Sequence, residues 1–236
     1  MNLKPYTDIP IVECGEKLVP IPIKQFAFTS PHYYQQVGAP YQHYHFNSPY
    51  FLRQTVLEKL LQAQTYLQRL HPTWKIQIFD AYRPIGVQQY MVDYTFQQEL
   101  KRMQQTTATV VEGDDIQQLW ERVYQFWAPP NADPKNPPPH STGAAVDVTL
   151  ADNLGSEINM GSPIDELSER SYPNHFAHSP HENEQRFHHL RQLLTQVMHE
   201  TDFQQHPNEW WHFSWGDQMW AAYQPEQMIA HYGRVE

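Results

Sequence analysis

Prolines limit where this chain can form regular structure, because proline breaks a helix interior but is accepted in the first helical turn. Pro72 follows an apolar pattern of helical spacing over residues 48–70, which opens with a Ser-Pro pair typical of a helix start. Pro84 opens a second pattern of this kind, which continues over residues 84–105. The alternating segment 74–79 between the two prolines predicts a strand.

The second half of the chain adds two helices and two strands, separated by a stiff, exposed loop at residues 128–139 that contains six prolines. We expect the helices at 114–127 and 179–201, the latter opened by a capping box, and the strands at 144–150 and 208–215. Long helices beside a few strands, without regular βαβ alternation, predict an α+β fold. We expect one domain over residues 1–236, in which a small, mostly antiparallel sheet packs with several helices and residues 1–48 wrap the core.

The composition excludes several classes of protein. No apolar run approaches the length of about 18 residues that a membrane span requires. The net charge of −10 and the lack of a long basic run argue against nucleic-acid binding. Residues 1–16 lack the apolar core of a signal peptide, so we expect a cytoplasmic protein. Cys14 is the only cysteine, so any metal must be bound by His, Asp or Glu.

Two short segments carry residue types that suit a catalytic zinc site. Asp147 lies between two valines in a predicted strand, and His140 precedes it in the proline-rich loop. Glu209 and His212 interrupt a second, strongly aromatic segment. In a regular strand these last two side chains would face opposite sides, so we expect a bulge or bend there. Two imidazoles, one carboxylate ligand and one further carboxylate as base are what a catalytic zinc site needs.

Arg83 is a third candidate, because it follows directly on the end of a predicted strand. Its guanidinium, oriented by Asp80, could stabilise the oxyanion of a tetrahedral intermediate. A purely structural ion pair between Asp80 and Arg83 explains the same residues equally well.

Three motifs occur in order within about residues 50–215: Asp80-Ala-Tyr-Arg-Pro84, His140-x6-Asp147 and Glu209-Trp-Trp-His212. Together they resemble the VanX-type D-alanyl-D-alanine dipeptidases, zinc peptidases related to the D,D-carboxypeptidases and to the hedgehog domain fold. Segments 160–165 and 168–172 also resemble the part of that family that follows its metal-binding strand. The resemblance therefore implies a hydrolase that cleaves D-alanyl-D-alanine or a similar D,D-dipeptide.

The resemblance also implies a metal site and a base. One zinc ion per chain would be held by His140, Asp147 and His212. Glu209 would be the general base, taking a proton from zinc-bound water and passing it to the leaving amine.

Substrate contacts follow from the same resemblance. Arg83 would stabilise the tetrahedral intermediate, and Asp80, on the substrate side of the site, would support Arg83. Asp165 would hold the free amino group of the substrate, which favours dipeptides. Pro138 stands where the family usually has a serine that helps to bind the substrate carboxylate, so the exact dipeptide stays open.

Two other functions remain as alternatives. One is a zinc D,D- or L,D-carboxypeptidase acting on longer cell-wall peptides, although an amino-group anchor at Asp165 favours a dipeptidase. The other is a non-catalytic zinc-binding module of the same fold, although a structural zinc would need neither Glu209 nor Arg83. The histidines between positions 175 and 189 could form a second metal site, but exposed surface histidines are the simpler interpretation.

Overall fold

Six α-helices and seven β-strands form the regular structure of residues 6–106, 112–224 and 229–235, which are the residues that this computed structural model describes. The helices are α1 (Tyr33–Gln36), α2 (Gln54–Leu70), α3 (Ile85–Thr106), α4 (Asp114–Phe126), α5 (Glu182–His199) and α6 (Gln218–Ala222). The strands are β1 (Leu18–Pro20), β2 (Ala27–Phe28), β3 (Phe51–Arg53), β4 (Lys75–Asp80), β5 (Ala145–Ala151), β6 (Gln204–Gln205) and β7 (His212–Ser214).

Five of these strands form one sheet in the order β2-β4-β5-β7-β6. β2 runs parallel to β4, and every other neighbouring pair is antiparallel. β1 and β3 form a separate antiparallel pair. The prediction of an α+β fold with a small, mostly antiparallel sheet is therefore confirmed.

The register of the central strands brings three polar residues side by side. Asp80 on β4 pairs with Asp147 on β5, and Asp147 pairs with His212 on β7. An irregularity in the β4–β5 register lies just before this row, between Ile78 and Asp80. Because directly opposite residues of neighbouring antiparallel strands lie about 4.5–5.5 Å apart, the sheet itself gathers these side chains.

The main apolar core lies between this sheet and the helices α2 and α5. β5 is buried along its whole length, as expected of a central strand covered on both faces. Val146, Val148 and Leu150 of β5 pack in one cluster with Leu60 of α2 and Leu194 of α5. A second cluster joins α3 and α4 to aromatic residues of the N-terminal segment. Burial of each such side chain contributes on the order of 1.5–3 kcal/mol, which fixes the sheet against its helices.

The predicted starts of two helices are wrong. Ser48 does not cap α2, because residues 51–53 form β3 and pair with residues 18–20 before the helix begins at Gln54. Ser179 does not cap α5 either. Its hydroxyl accepts from the backbone N–H of His181 and forms a turn, and the helix begins only at Glu182.

Two further expectations need correction near the chain ends. The strand predicted at 208–215 is limited to β7. Glu209 lies in a turn before it, in which the backbone N–H of Glu209 donates to the carbonyl oxygen of His206 at 3.3 Å. The sequence of residues 216–236 predicts loops, yet this part of the chain contains α6. Asp217 caps α6, because its carboxylate accepts from the backbone N–H of Trp220. Residues 1–50 show little periodicity and predict extended segments and loops. The short strands β1 and β2 agree with this prediction, whereas the short helix α1 does not.

Within the described ranges, every helix is too short or too polar to cross a lipid bilayer.

Candidate active site

Three side chains from neighbouring elements place their polar atoms together at one end of β5. His140 Nε2 lies 3.1 Å from His212 Nδ1 and 3.2 Å from Asp147 Oδ2. His212 Nδ1 lies 3.0 Å from Asp147 Oδ1. All three residues are buried. Among the described residues this is the one group of three or more His, Cys, Asp or Glu side chains placed to share a metal ion.

The donor atoms fit a zinc ion in their separations and in their protonation. Zinc–nitrogen and zinc–oxygen bonds of 2.0–2.1 Å in tetrahedral geometry place neighbouring ligand atoms roughly 3.3 Å apart, close to the distances between these atoms. His140 Nδ1 lies 2.6 Å from the carbonyl oxygen of Ala81, which can only accept, so Nδ1 carries the proton and Nε2 presents a lone pair. Nε2 lies 3.2 Å from a carboxylate oxygen of Asp147, and this contact is stabilised either by a second ring proton on His140 or by a metal ion held between the two atoms.

The electrostatics of Asp147 are consistent with a cation-binding role. Burial alone would raise the pKa of this carboxyl, but His140 and then His212 hold it well below its usual value. The carboxylate is therefore ionised and available as a ligand.

Arg83 lies beside this group and is held firmly in place. Its Nε and Nη2 donate to Asp80 Oδ2 at 2.9 and 2.6 Å, and its Nη2 also lies 3.3 Å from Asp147 Oδ2. Burial works to lower the pKa of Arg83, but Tyr34 and the two carboxylates outweigh it and raise that pKa well above the usual value. Gln88 accepts from Nη1 at 2.9 Å. The guanidinium is thus a fixed positive charge in the wall of the cleft.

Asp80 is fully buried and lies behind Arg83, outside the set of residues that line the cleft. Burial would raise its pKa, but Arg83 and then His32 lower it to about 2. Tyr41 donates a further hydrogen bond at 3.0 Å. Asp80 therefore positions Arg83, and the geometry gives it no direct contact with a ligand in the cleft.

Asp165 faces the same cleft from the irregular segment that follows β5. Its backbone has a φ of 66°, a left-handed conformation that is unusual for a residue other than glycine. Tyr34 donates to Asp165 Oδ2 at 2.7 Å and accepts from Arg83 Nη2 at 3.3 Å. Burial, followed by the charge of Asp147, raises the pKa of Asp165 to about 7. A cationic ligand such as an ammonium group would stabilise the ionised form of this carboxyl.

Glu209 completes the group of predicted site residues. Its Oε2 lies 3.8 Å from His212 Nδ1, and its Oε1 lies 3.6 Å from His206 Nδ1. Because Glu209 lies in the turn before β7, its side chain faces the same side of the sheet as His212. In a continuous strand, two residues three positions apart would face opposite sides. Glu209 is 6% exposed, so its carboxylate borders the group formed by His140, Asp147 and His212 in a largely dry environment.

A cleft of about 490 Å³, including the part open to solvent, connects these groups. Its lining includes residues that the sequence does not indicate as site residues: Tyr6, Gln88, Trp127 and His206. General frequencies of aromatic residues favour packing over ligand contact for Tyr34, yet its hydroxyl links Arg83 to Asp165. Only His206 had a usable signal in the sequence, because it stands three residues before Glu209.

Known proteins similar to this chain are described as dipeptidases. The model of a family described as D-ala-D-ala dipeptidase matches residues 28–231. A protein named D-alanyl-D-alanine dipeptidase from Synechocystis sp. is 47% identical, across 99% of this chain and 98% of the relative. A D-alanyl-D-alanine dipeptidase from Escherichia coli is 38% identical over 74 residues, which are 31% of this chain and 36% of that protein. This chain therefore belongs to the D-ala-D-ala dipeptidase family of peptidases.

Proposed function

We propose that this protein hydrolyses D-alanyl-D-alanine, or a closely similar D,D-dipeptide, with one zinc ion held by His140, Asp147 and His212. The observation that carries the proposal is the convergence of the three side chains. The two histidine nitrogens lie 3.1 Å apart, each lies 3.0–3.2 Å from one carboxylate oxygen of Asp147, and a glutamate oxygen lies 3.8 Å from His212 Nδ1. The names of the two relatives supply the substrate class. When bound, zinc would act as a Lewis acid and bring the pKa of a water ligand from about 16 to about 7.

Glu209 is the general base in this proposal. A water molecule attacks the scissile carbonyl carbon, and Glu209 accepts a proton from that water as the new C–O bond forms. The same carboxyl then gives the proton to the leaving amine as the C–N bond breaks. Its position beside His212 and its near-complete burial suit this role, because a base acts best close to the reacting atoms and sheltered from bulk water.

Arg83 stabilises the negative charge that develops on the carbonyl oxygen. It does so without moving, because the two hydrogen bonds to Asp80 fix its guanidinium beforehand. Such a preorganised charge avoids the reorganisation that water would need, and it contributes roughly 10²–10³-fold in rate.

Asp165 forms the end of the cleft that receives the substrate ammonium group, and the buried Tyr34 holds its carboxylate from behind. The carboxyl of Asp165, with its pKa raised to about 7, becomes fully ionised when it pairs with a cation. An anchor for the amino end sets the distance to the cleaved bond, which favours a dipeptide over a longer peptide. Pro138 lines the same cleft and offers neither a hydroxyl nor an N–H, so the substrate carboxylate must find other donors.

The experiment compares purified wild type with Glu209→Gln, each with its bound zinc measured first. We expect the wild type to release two D-alanine molecules from each D-alanyl-D-alanine and to leave L-alanyl-L-alanine intact. Glu209→Gln should keep its zinc and lose roughly 10²–10⁴-fold in rate. Undiminished hydrolysis by Glu209→Gln would contradict the assignment of the base. Zinc binding without any release of D-alanine would contradict the substrate.

A further inference from the structure

The second imidazole of the ligand group has a nitrogen whose partner is not a protein atom of the described residues. When a neutral His212 binds a metal through the Nδ1 lone pair, as proposed above, its ring proton is on Nε2. That Nε2 is buried and has no hydrogen-bond partner in the described part of the chain. His140 differs, since its second nitrogen donates to the carbonyl of Ala81. A buried N–H without an acceptor costs about 1–3 kcal/mol, so an acceptor is expected.

Asp217 has the complementary feature. It is 1% exposed, and its Oδ1 accepts from Ser214 Oγ at 2.9 Å and from the backbone N–H of Trp220 at 2.8 Å. Its Oδ2 is buried and lacks a donor among the described residues. A buried carboxylate with one oxygen unsatisfied is costly, so a donor is expected near that oxygen.

His212 and Asp217, which carry the two unsatisfied atoms, are both held on the same face of the sheet. His212 and Ser214 are two residues apart on β7, so their side chains point to one side, with Cα atoms roughly 6.7 Å apart. Ser214 holds the carboxylate of Asp217 on that side. Asp217 Oδ2 and His212 Nε2 do not form a direct hydrogen bond within the described structure. One water molecule with two hydrogen bonds of about 2.8 Å bridges groups up to roughly 5.6 Å apart.

We infer that Asp217 accepts the Nε2–H of His212 through one buried water and so fixes the ring orientation and tautomer in which His212 binds a metal. Asp217 is therefore a positioning residue: it reaches neither the metal nor the substrate, and it acts through His212. The inference rests on the proposed function, because it requires His212 to be a ligand. Partners of this kind behind a ligating histidine contribute about 10–100-fold to metal affinity.

The test is the zinc dissociation constant of Asp217→Asn, measured by competition with a chromophoric chelator. Asparagine keeps the carbonyl that caps α6 and contacts Ser214, but it replaces the acceptor at the Oδ2 position with an NH₂ donor. The matched control is Asp202→Asn, which makes the same chemical change at an exposed carboxylate paired with Lys59. Unfolding temperatures of both zinc-free variants show whether either change damages the fold.

We expect Asp217→Asn to bind zinc about 10–100-fold more weakly than the wild type, and Asp202→Asn to match the wild type. Excess zinc should restore most of the peptidase activity of Asp217→Asn, because the base and the arginine are untouched. A second variant, Asp217→Ser, keeps a helix-capping hydroxyl and removes the carboxylate, and it should weaken zinc binding to a similar extent. Zinc affinities of both Asp217 variants within twofold of the wild type would overturn the inference. A wild-type protein that binds no zinc would instead contradict the proposed function, and the inference with it.

Discussion

Replacing Arg191 should destabilise the protein and weaken substrate binding together. This arginine of α5 is 1% exposed and donates to Met160 O at 2.8 Å, Tyr172 O at 2.9 Å and Ser162 Oγ at 3.0 Å. Ser162 Oγ also accepts from Trp210 Nε1 at 3.0 Å. One guanidinium thus fastens both ends of the segment that carries the proposed amino-group anchor, and it connects that segment to the turn that carries the proposed base.

The magnitude follows from these contacts. Arg191→Met removes three hydrogen bonds from a charged donor, each contributing about 1.5–3 kcal/mol. It also leaves one buried and one partly buried carbonyl without their donor. It also removes the desolvation penalty of the guanidinium, which is several kcal/mol. The net loss is therefore about 3 kcal/mol, or roughly 6–12 °C in Tm for a chain of this size. Lysine keeps the charge but not the fork of donors, so Arg191→Lys should lose less.

The assay combines thermal unfolding with steady-state hydrolysis of D-alanyl-D-alanine. Because the segment 160–172 carries Asp165, we expect KM to rise more than kcat falls. Arg186→Met is the matched control, since Arg186 is an exposed arginine on the same helix. A Tm for Arg191→Met within about 2 °C of the wild type, with an unchanged KM, would refute the reasoning.

Three further predictions test other parts of the structure. Asp165→Asn should raise KM for D-alanyl-D-alanine by roughly 10–100-fold, because it removes a charge-assisted hydrogen bond of about 1.5–3 kcal/mol to the substrate ammonium group. An equal rise in KM for an N-acetylated substrate would contradict the role of Asp165 as the amino-group anchor. Although burial works against it, hydrogen bonds from Thr55 lower the pKa of Glu16 below its ordinary value of about 4.5. The wild type should therefore lose stability as the pH falls through and below 4.5, whereas Glu16→Gln should be less stable at pH 7 and show a flatter pH dependence in urea unfolding. Gly161 has a φ of 91°, and an added Cβ would lie 2.5 Å from Phe176 Cε2. Gly161→Ala should therefore lower the free energy of unfolding by roughly 2–4 kcal/mol, and an unchanged unfolding midpoint would contradict the geometry of this segment.

The long elements could be predicted from the sequence because their determinants are local. Apolar spacing and the prolines at 72 and 84 place α2, β4 and α3 to within a few residues at most boundaries, except at the start of α2. That start depends on contacts distant in the sequence. Arg53, the last residue of β3, donates from Nε to the carbonyl of Thr142 at 2.8 Å, and its strand pairs with residues 18–20. No pattern near position 48 reports these contacts.

The residue types of the candidate site could also be predicted, because carboxylates and histidines inside apolar segments need a compensating partner. Their arrangement could not. Asp147 is brought beside Asp80 and His212 by the strand register, which a single sequence does not specify across such separations. The hydroxyl of Tyr34 reaches Asp165 across 131 positions, so the sequence around Tyr34 shows only an aromatic residue suited to packing.

The most direct test of the central claim is a zinc titration of chelated protein, followed by the rate of D-alanine release from D-alanyl-D-alanine. If His140, Asp147 and His212 hold one catalytic zinc ion, activity should be absent after chelation. It should then rise linearly and reach its plateau at one zinc per chain, and a His212→Ala variant should show neither tight binding nor recovery. Full activity in the chelated protein, or full recovery in His212→Ala, would contradict the account.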